Sequence, residues 1–131
     1  MYKIPVSIGE LVDKITILKI KLKYLKGQKK ANAKYEYDLL LYILKDSPIL
    51  MEDNLIKELQ NINQKLWEVE DKIRKKELNK DFEEEFIILA RSVYRLNDER
   101  FKTKNDLNQN YNSEIIEEKI YEKYIKNFIN L

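Results

Sequence analysis

The chain contains no cysteine and no histidine. The first absence removes disulfides, thiol nucleophiles and cysteine zinc sites. The second removes imidazole metal ligands and every catalytic arrangement built on a histidine base. Any chemistry must therefore come from carboxylates, lysine, arginine, tyrosine and hydroxyl groups. Glycine and proline occur only twice each in 131 residues, too few for the hairpins and turns of a β-rich fold. No apolar run approaches the ~18 residues of a membrane-spanning helix. The start, Met1 to Val6, lacks the apolar stretch of a secretory signal. The expectation is a soluble, cytoplasmic, all-α protein with no membrane partner. At this length it should form a single helical domain over 1–131, able to bury a core without metal or disulfide staples.

Arginine is also scarce. Lysine, asparagine, isoleucine and tyrosine supply nearly half of the chain, as expected of an AT-rich genome that replaces arginine with lysine wherever lysine serves. Only Arg74, Arg91, Arg95 and Arg100 remain, all in one stretch. A planar, bidentate donor is what lysine cannot replace. These four residues therefore mark a candidate site, or a set of interhelical salt bridges.

What the chain does have is helical periodicity. Ser7 and Glu10 form a capping-box pattern, with Val6 and Leu11 placed as its hydrophobic staple. Leu11, Ile15, Leu18, Leu22 and Leu25 then repeat at alternating spacings of four and three, and Gly27 is positioned as a C-cap. This predicts a helix over 8–27. Tyr35, Leu39, Tyr42 and Ile43 mark a shorter helix over 31–46, stopped by Ser47-Pro48. Leu55, Leu59, Ile62, Leu66, Val69 and Ile73 predict a helix over 52–79. Asp81 and Glu84 suggest a second capping box, and Phe82, Phe86, Leu89, Val93 and Leu96 predict a helix over 82–108. Ile116, Ile120, Tyr124 and Ile125 suggest a last short helix over 114–129. The architecture expected is an antiparallel helical bundle with three long, coiled-coil-like helices and two shorter ones. Such pairing suits a homodimer.

Charge is distributed unevenly. Residues 1–35 are strongly basic, residues 36–71 acidic, and the remainder near balance. A basic first segment can signify nucleic acid. No nucleic-acid-binding pattern accompanies it here, and the expectation is that the two segments complement each other within the fold.

Polar residues enter the helical faces where the third and fourth helices meet. Trp67, Glu70, Asp71 and Arg74 share one face by their i, i+3, i+4, i+7 spacing, and Arg91, Tyr94, Arg95 and Asp98 do the same. With the hairpin turn near residue 80, antiparallel geometry sets Glu70 and Asp71 opposite Arg91, Trp67 opposite Tyr94 and Arg95, and Asn63 opposite Asn97. Asp13, Lys14 and Thr16 interrupt the apolar first helix and are placed to reach the same region. One reading is a polar cavity in which arginines grip a carboxylate or phosphate, acids orient the arginines, and Trp67 or Tyr94 stacks on a ring. The other is a network of salt bridges flanking the core. Gly9, at the first turn, is placed to help backbone N–H groups hold an anion.

Two enzyme patterns fit poorly. Glu68 to Asp71 has the ExxD spacing of helical, magnesium-dependent nucleotide pyrophosphohydrolases, but no upstream acidic cluster accompanies it. Helical chorismate mutases need an arginine from the first helix, and this one has none.

Four blocks carry a family resemblance: Pro5 to Leu18, Leu66 to Arg74, Ala90 to Arg100, and Glu117 to Tyr121. Together they resemble a family of short bacterial and phage proteins of unknown function, to which no activity is attached. The resemblance spans most of the chain but leaves the second helix unmatched. Its motif positions here are Gly9, Glu10, Asp13, Lys14, Trp67, Glu70, Asp71, Arg74, Arg91, Tyr94, Asn97, Asp98, Arg100, Glu118, Lys119 and Tyr121. Arg95 is not among them. Joined to the helical faces, these blocks define a candidate ligand-binding set: Asp13, Lys14, Trp67, Glu70, Asp71, Arg74, Arg91, Tyr94, Asn97, Asp98 and Arg100. The leading expectation is an anionic small-molecule ligand, a nucleotide, nucleotide-sugar or sugar phosphate, held between the first, third and fourth helices. The alternatives are a dimeric structural or adaptor protein, and a small enzyme using Glu70, Asp71 or Asp98 as general base. No metal site is expected, and no particular cofactor is indicated.

Overall fold

The computed structural model describes residues 1–121. Within them the secondary structure is wholly helical: α1 (Ile8–Tyr24), α2 (Gly27–Leu44), α3 (Asn54–Leu78) and α4 (Glu84–Asn110). Helices occur where the first four were expected, but the division into long and short ones does not hold: α2, with 18 residues, exceeds α1, with 17. The fifth expected helix is absent over 114–121, which is non-helical, and its remainder lies outside the described residues.

Local chemistry sets the helix boundaries. Ser7 Oγ accepts the Glu10 N–H at 3.1 Å, giving half of the expected capping box. The other half is missing because the Glu10 carboxylate turns instead to Lys104, with Oε2 2.8 Å from Nζ. Gly27 does not cap α1; it opens α2 with a left-handed φ of 62°, after a connection of only two residues. Asp53 begins α3, its carboxylate accepting the Leu55 N–H at 2.8 Å. The capping box expected from Asp81 is also lost. Asp81 is drawn back to Lys76, Oδ2 to Nζ 2.9 Å, which closes the α3–α4 turn and delays the start of α4 to Glu84.

Both long helices of the hairpin end alike. Lys80 and Asn112 take left-handed φ values of 52° and 53°. The Asp81 N–H reaches the Lys76 carbonyl and the Lys80 N–H the Glu77 carbonyl. The Ser113 and Asn112 N–H groups repeat the pattern on Asn108 and Gln109. These are Schellman closures without glycine, and they satisfy carbonyls the helix leaves unpaired.

The most extensive packing is between α3 and α4, which run antiparallel. One register point is Lys76 against Glu85, 3.0 Å apart; another is the convergence of Asn63 and Arg100 on Asp13. α1 lies across both helices, and α2 packs only on α1 among the helices. The core sits at the end away from the hairpin turn: Val12, Ile15, Leu44, Ile49, Ile56, Leu59 and Leu107 are buried together, with Tyr37, Leu40 and Leu41 against them. Beyond α4, residues 113–121 turn back along it. Ser113 Oγ accepts the Ile8 N–H, Glu117 meets Lys104, and Lys119 lies 3.7 Å from Asp98. Of the α1 lysines, only Lys14 has an acidic partner among the described residues, Glu36 of α2 at 3.6 Å.

Candidate functional site: a charged helix crossing and an open arginine face

Two distinct polar regions emerge. The first is buried, where α1 crosses α4. α1 can approach this closely because Gly9 has no side chain: a Cβ there would lie 2.5 Å from the Lys104 carbonyl oxygen. The Gly9 N–H donates to Asn108 Oδ1 at 2.7 Å. That bond joins two helices, so the backbone group expected to help hold an anion is already occupied.

One turn further along α1, Asp13 is 1% exposed. Its carboxylate accepts hydrogen bonds from Arg100 Nε at 2.9 Å, from Arg100 Nη2, and from Asn63 Nδ2 at 2.9 Å. Asn63 Nδ2 also donates to Thr16 Oγ1, which itself donates to the Asp13 carbonyl at 2.7 Å. This is a bidentate arginine–carboxylate pair, the strongest form of such contacts. The Asp13 hydrogen bonds raise the affinity of the Arg100 guanidinium for its proton above the ordinary value, overcoming the opposing effect of burial. Asn97 Oδ1 lies 3.5 Å from Arg100 Nη1.

Lys104, also buried, stands between Glu10 and Glu117. The Glu117 Oε2 atom is 2.7 Å from Nζ, an ion pair by distance whose angle is not that of a hydrogen bond. Burial alone would push the Lys104 ammonium down; its two carboxylates outweigh that and hold its pKa above 10.5. With Glu10, Asp13 and Glu117 against Arg100 and Lys104, the crossing carries one more negative than positive charge. It is filled with its own counter-ions and disfavours a further anion.

The second region lies along the rest of α4. Asp98 is engaged by Lys119. Arg91 and Arg95 follow one turn apart on the same face, each partly buried. Neither has a hydrogen bond or ion pair among the described residues. The opposition of Glu70 and Asp71 to Arg91 does not produce an ion pair: Asp71 binds Lys75 of its own helix at 3.1 Å, and Glu70 and Arg74 have no partner among the described residues. Trp67 stacks on Tyr24 at the end of α1, rings 3.9 Å apart and 9° from parallel. Gln64 Nε2 donates to the Tyr24 hydroxyl at 3.1 Å beside it.

The expected residues thus divide. Asp13, Asn97 and Arg100 come together in the crossing, with Asp98 at its edge. Lys14 diverges from them, because adjacent helical residues point about 100° apart, and meets Glu36 of α2. Trp67, Glu70, Asp71, Arg74, Arg91 and Tyr94 lie on the α3–α4 hairpin. Lys104, Asn108 and Glu117 were not expected in the crossing. The signal for two of them was present: Arg100, Lys104 and Asn108 form an i, i+4, i+8 stripe on α4. Among the described residues, no three acids converge as a metal site requires, and no helix is long and apolar enough to cross a membrane.

Among the described residues, fold and site define an all-α protein of four packed helices, locked by a buried ionic crossing and extended by a two-helix arm, with arginines on α4 that have no ion pair there. Residues 2–128 match the model of a family of unknown function, DUF6165, and the chain belongs to that family. Comparison with curated proteins and with solved structures returns no match.

Proposed function

We propose that the protein binds an anionic small molecule, of the nucleotide, nucleotide-sugar or sugar-phosphate class, on the α4 face that carries Arg91 and Arg95. The carrying observation is the contrast along one helix. Arg100 and Lys104 are matched by acids, whereas Arg91 and Arg95, partly withdrawn from water, have none among the described residues. A guanidinium that loses hydration without a counter-charge is costly. Two of them one turn apart form a fork suited to a phosphate or carboxylate. Arg74 and Glu70 supply further charge from α3, and Trp67, stacked on Tyr24, borders the region from the α1 end. In this reading Asp13, Asn97 and Arg100 fix the helices that present the face and do not touch the ligand.

The test is a thermal-shift screen against nucleotides, nucleotide-sugars, sugar phosphates and aromatic carboxylates, with and without magnesium. Ligand at ~100 times its dissociation constant adds about 2.7 kcal/mol of apparent stability. The double substitution Arg91→Lys, Arg95→Lys keeps the charge but removes the fork, and abolishes the shift. If no compound of these classes shifts the wild type, the reading fails. The second reading, a dimeric structural or adaptor protein, is favoured by the ionic crossing, whose charges are spent on holding helices together. An enzyme reading would rest on Glu70, the one proposed base with no cation partner among the described residues.

A further inference from the structure

α1 ends at Tyr24, over Trp67. α3 runs eleven residues further, to Leu78, and α4 returns from Glu84. At 1.5 Å per residue this leaves an arm of about 16 Å on which, among the described residues, no third helix packs.

The start of α4 is unusual for half of a two-helix arm. Phe86-Ile87-Ile88-Leu89-Ala90 is apolar on every side of the helix. One neighbouring helix covers only one side, and a helix apolar all round belongs in an interior. Phe86 and Leu89 are partly covered, while Ile87 and Ile88 are 53% and 47% exposed.

These two isoleucines lie on one face with Glu84 before them and Arg91 after, at i, i+3, i+4 and i+7. Neither Glu84 nor Arg91 has an ion pair among the described residues. The order acid, apolar, apolar, base reads the same, with sign reversed, from either end. Such a face complements itself when a second copy lies antiparallel, because a twofold axis makes each contact occur twice. A parallel copy would set acid on acid and base on base.

We infer that a second copy of this chain docks on this face of α4, the two helices antiparallel about a twofold axis between Ile87 and Ile88. Ile87 packs on Ile88 of the partner subunit, and Glu84 pairs with Arg91 of the partner subunit, twice per dimer. The inference does not rest on ligand binding. Arg91 has five N–H donors, enough for a carboxylate on one edge and an anion on the other. The overlap runs from Glu84 to Arg91 on each helix, about two helical turns, a small interface, so association is weak.

The test is sedimentation equilibrium of the full chain from about 5 to about 500 µM, with helicity followed by circular dichroism. The wild type passes from the 15.9 kDa monomer to twice that mass. Glu84→Arg and Arg91→Glu each set like charges face to face and weaken the dimer at least tenfold. The double exchange, Glu84→Arg with Arg91→Glu, restores it, which a merely damaged fold cannot do. Ile88→Asp keeps its helicity and stays monomeric. Three results would overturn the inference. One is a wild type monomeric at every concentration. Another is a dimer indifferent to these substitutions, which uses another face. The third is a monomer that Ile88→Asp unfolds, which covers the face with its own chain.

Discussion

Replacing Gly9 with alanine separates local propensity from packing. In an isolated helix alanine is favoured over glycine by about 0.8–1.0 kcal/mol, so propensity predicts stabilisation. The structure predicts the opposite. The new Cβ would lie 2.5 Å from the Lys104 carbonyl oxygen and 3.0 Å from the Lys104 carbonyl carbon and Cβ. Two of these atoms are backbone, so no rotamer change relieves the contact, and α1 must move away from α4 by several tenths of an ångström. Forcing a methyl into such a site costs about 1–3 kcal/mol. The 2.7 Å bond from Gly9 N to Asn108 Oδ1 stretches with it, and a bond of this kind contributes about 0.5–1.5 kcal/mol. Set against the propensity gain, the net loss is about 1–3 kcal/mol. That corresponds to a fall in Tm of roughly 4–12 °C for a chain of this size. Urea unfolding followed by helical circular dichroism measures it directly. A Gly9→Ala protein as stable as the wild type, or more so, would refute the close approach of the two helices.

Asp13→Asn should cost about 2–4 kcal/mol in the same assay. It strands Arg100 beside a neutral amide, and the 30% exposure of the arginine side chain lets water recover part of the loss; a change below about 0.5 kcal/mol would show that the pair is not formed. The Tyr111 hydroxyl donates to Asp53 Oδ2 at 2.7 Å, and that carboxylate raises its pKa above 10.0. The stabilisation is complete below pH 10 and is lost as pH rises through the shifted value, when a phenolate would face a carboxylate. The wild type should therefore be more stable than Tyr111→Phe at neutral pH, and the gap should close in alkali; a gap unchanged throughout the titration of the phenol would remove the contact. Lys104 behaves with the same sign, its contribution present below pH 10.5 and lost above the raised value. Lys104→Met should thus differ least from the wild type in strong alkali, as read by urea unfolding across pH.

The helical periodicities are strong because each long helix carries a continuous apolar stripe; α1 and α3 bury theirs at Ile15 and Leu59, whereas the stripe of α4 at Phe86 is only partly covered. Their ends are set by contacts distant in sequence, which periodicity does not contain. Asp81 looks like a cap until Lys76 takes it. Gly27 looks like a stop until the short connection makes it a start. Ile116 and Ile120 suggest a helix, yet 114–121 is held along α4 by Glu117 and Lys119, and both isoleucines remain exposed. The polar faces were visible as charged residues at helical spacing, but spacing does not choose partners. Asp13 and Arg100 are 87 residues apart, and only the crossing at Gly9 brings them together. Asp71 was set opposite Arg91 by register, yet Lys75 on its own helix is its ion-pair partner.

The most direct test of the proposed function uses the scarcity of arginine. Four side-chain Nε–Hε groups can be followed separately by nuclear magnetic resonance, each assigned by its Arg→Lys variant. Pyrophosphate is the probe, added at constant ionic strength so that screening does not change. The Arg91 and Arg95 resonances should move together to saturation while Arg100, held by Asp13, stays in place. Movement of Arg100 instead, or no saturable movement at Arg91 and Arg95, would contradict the proposed function.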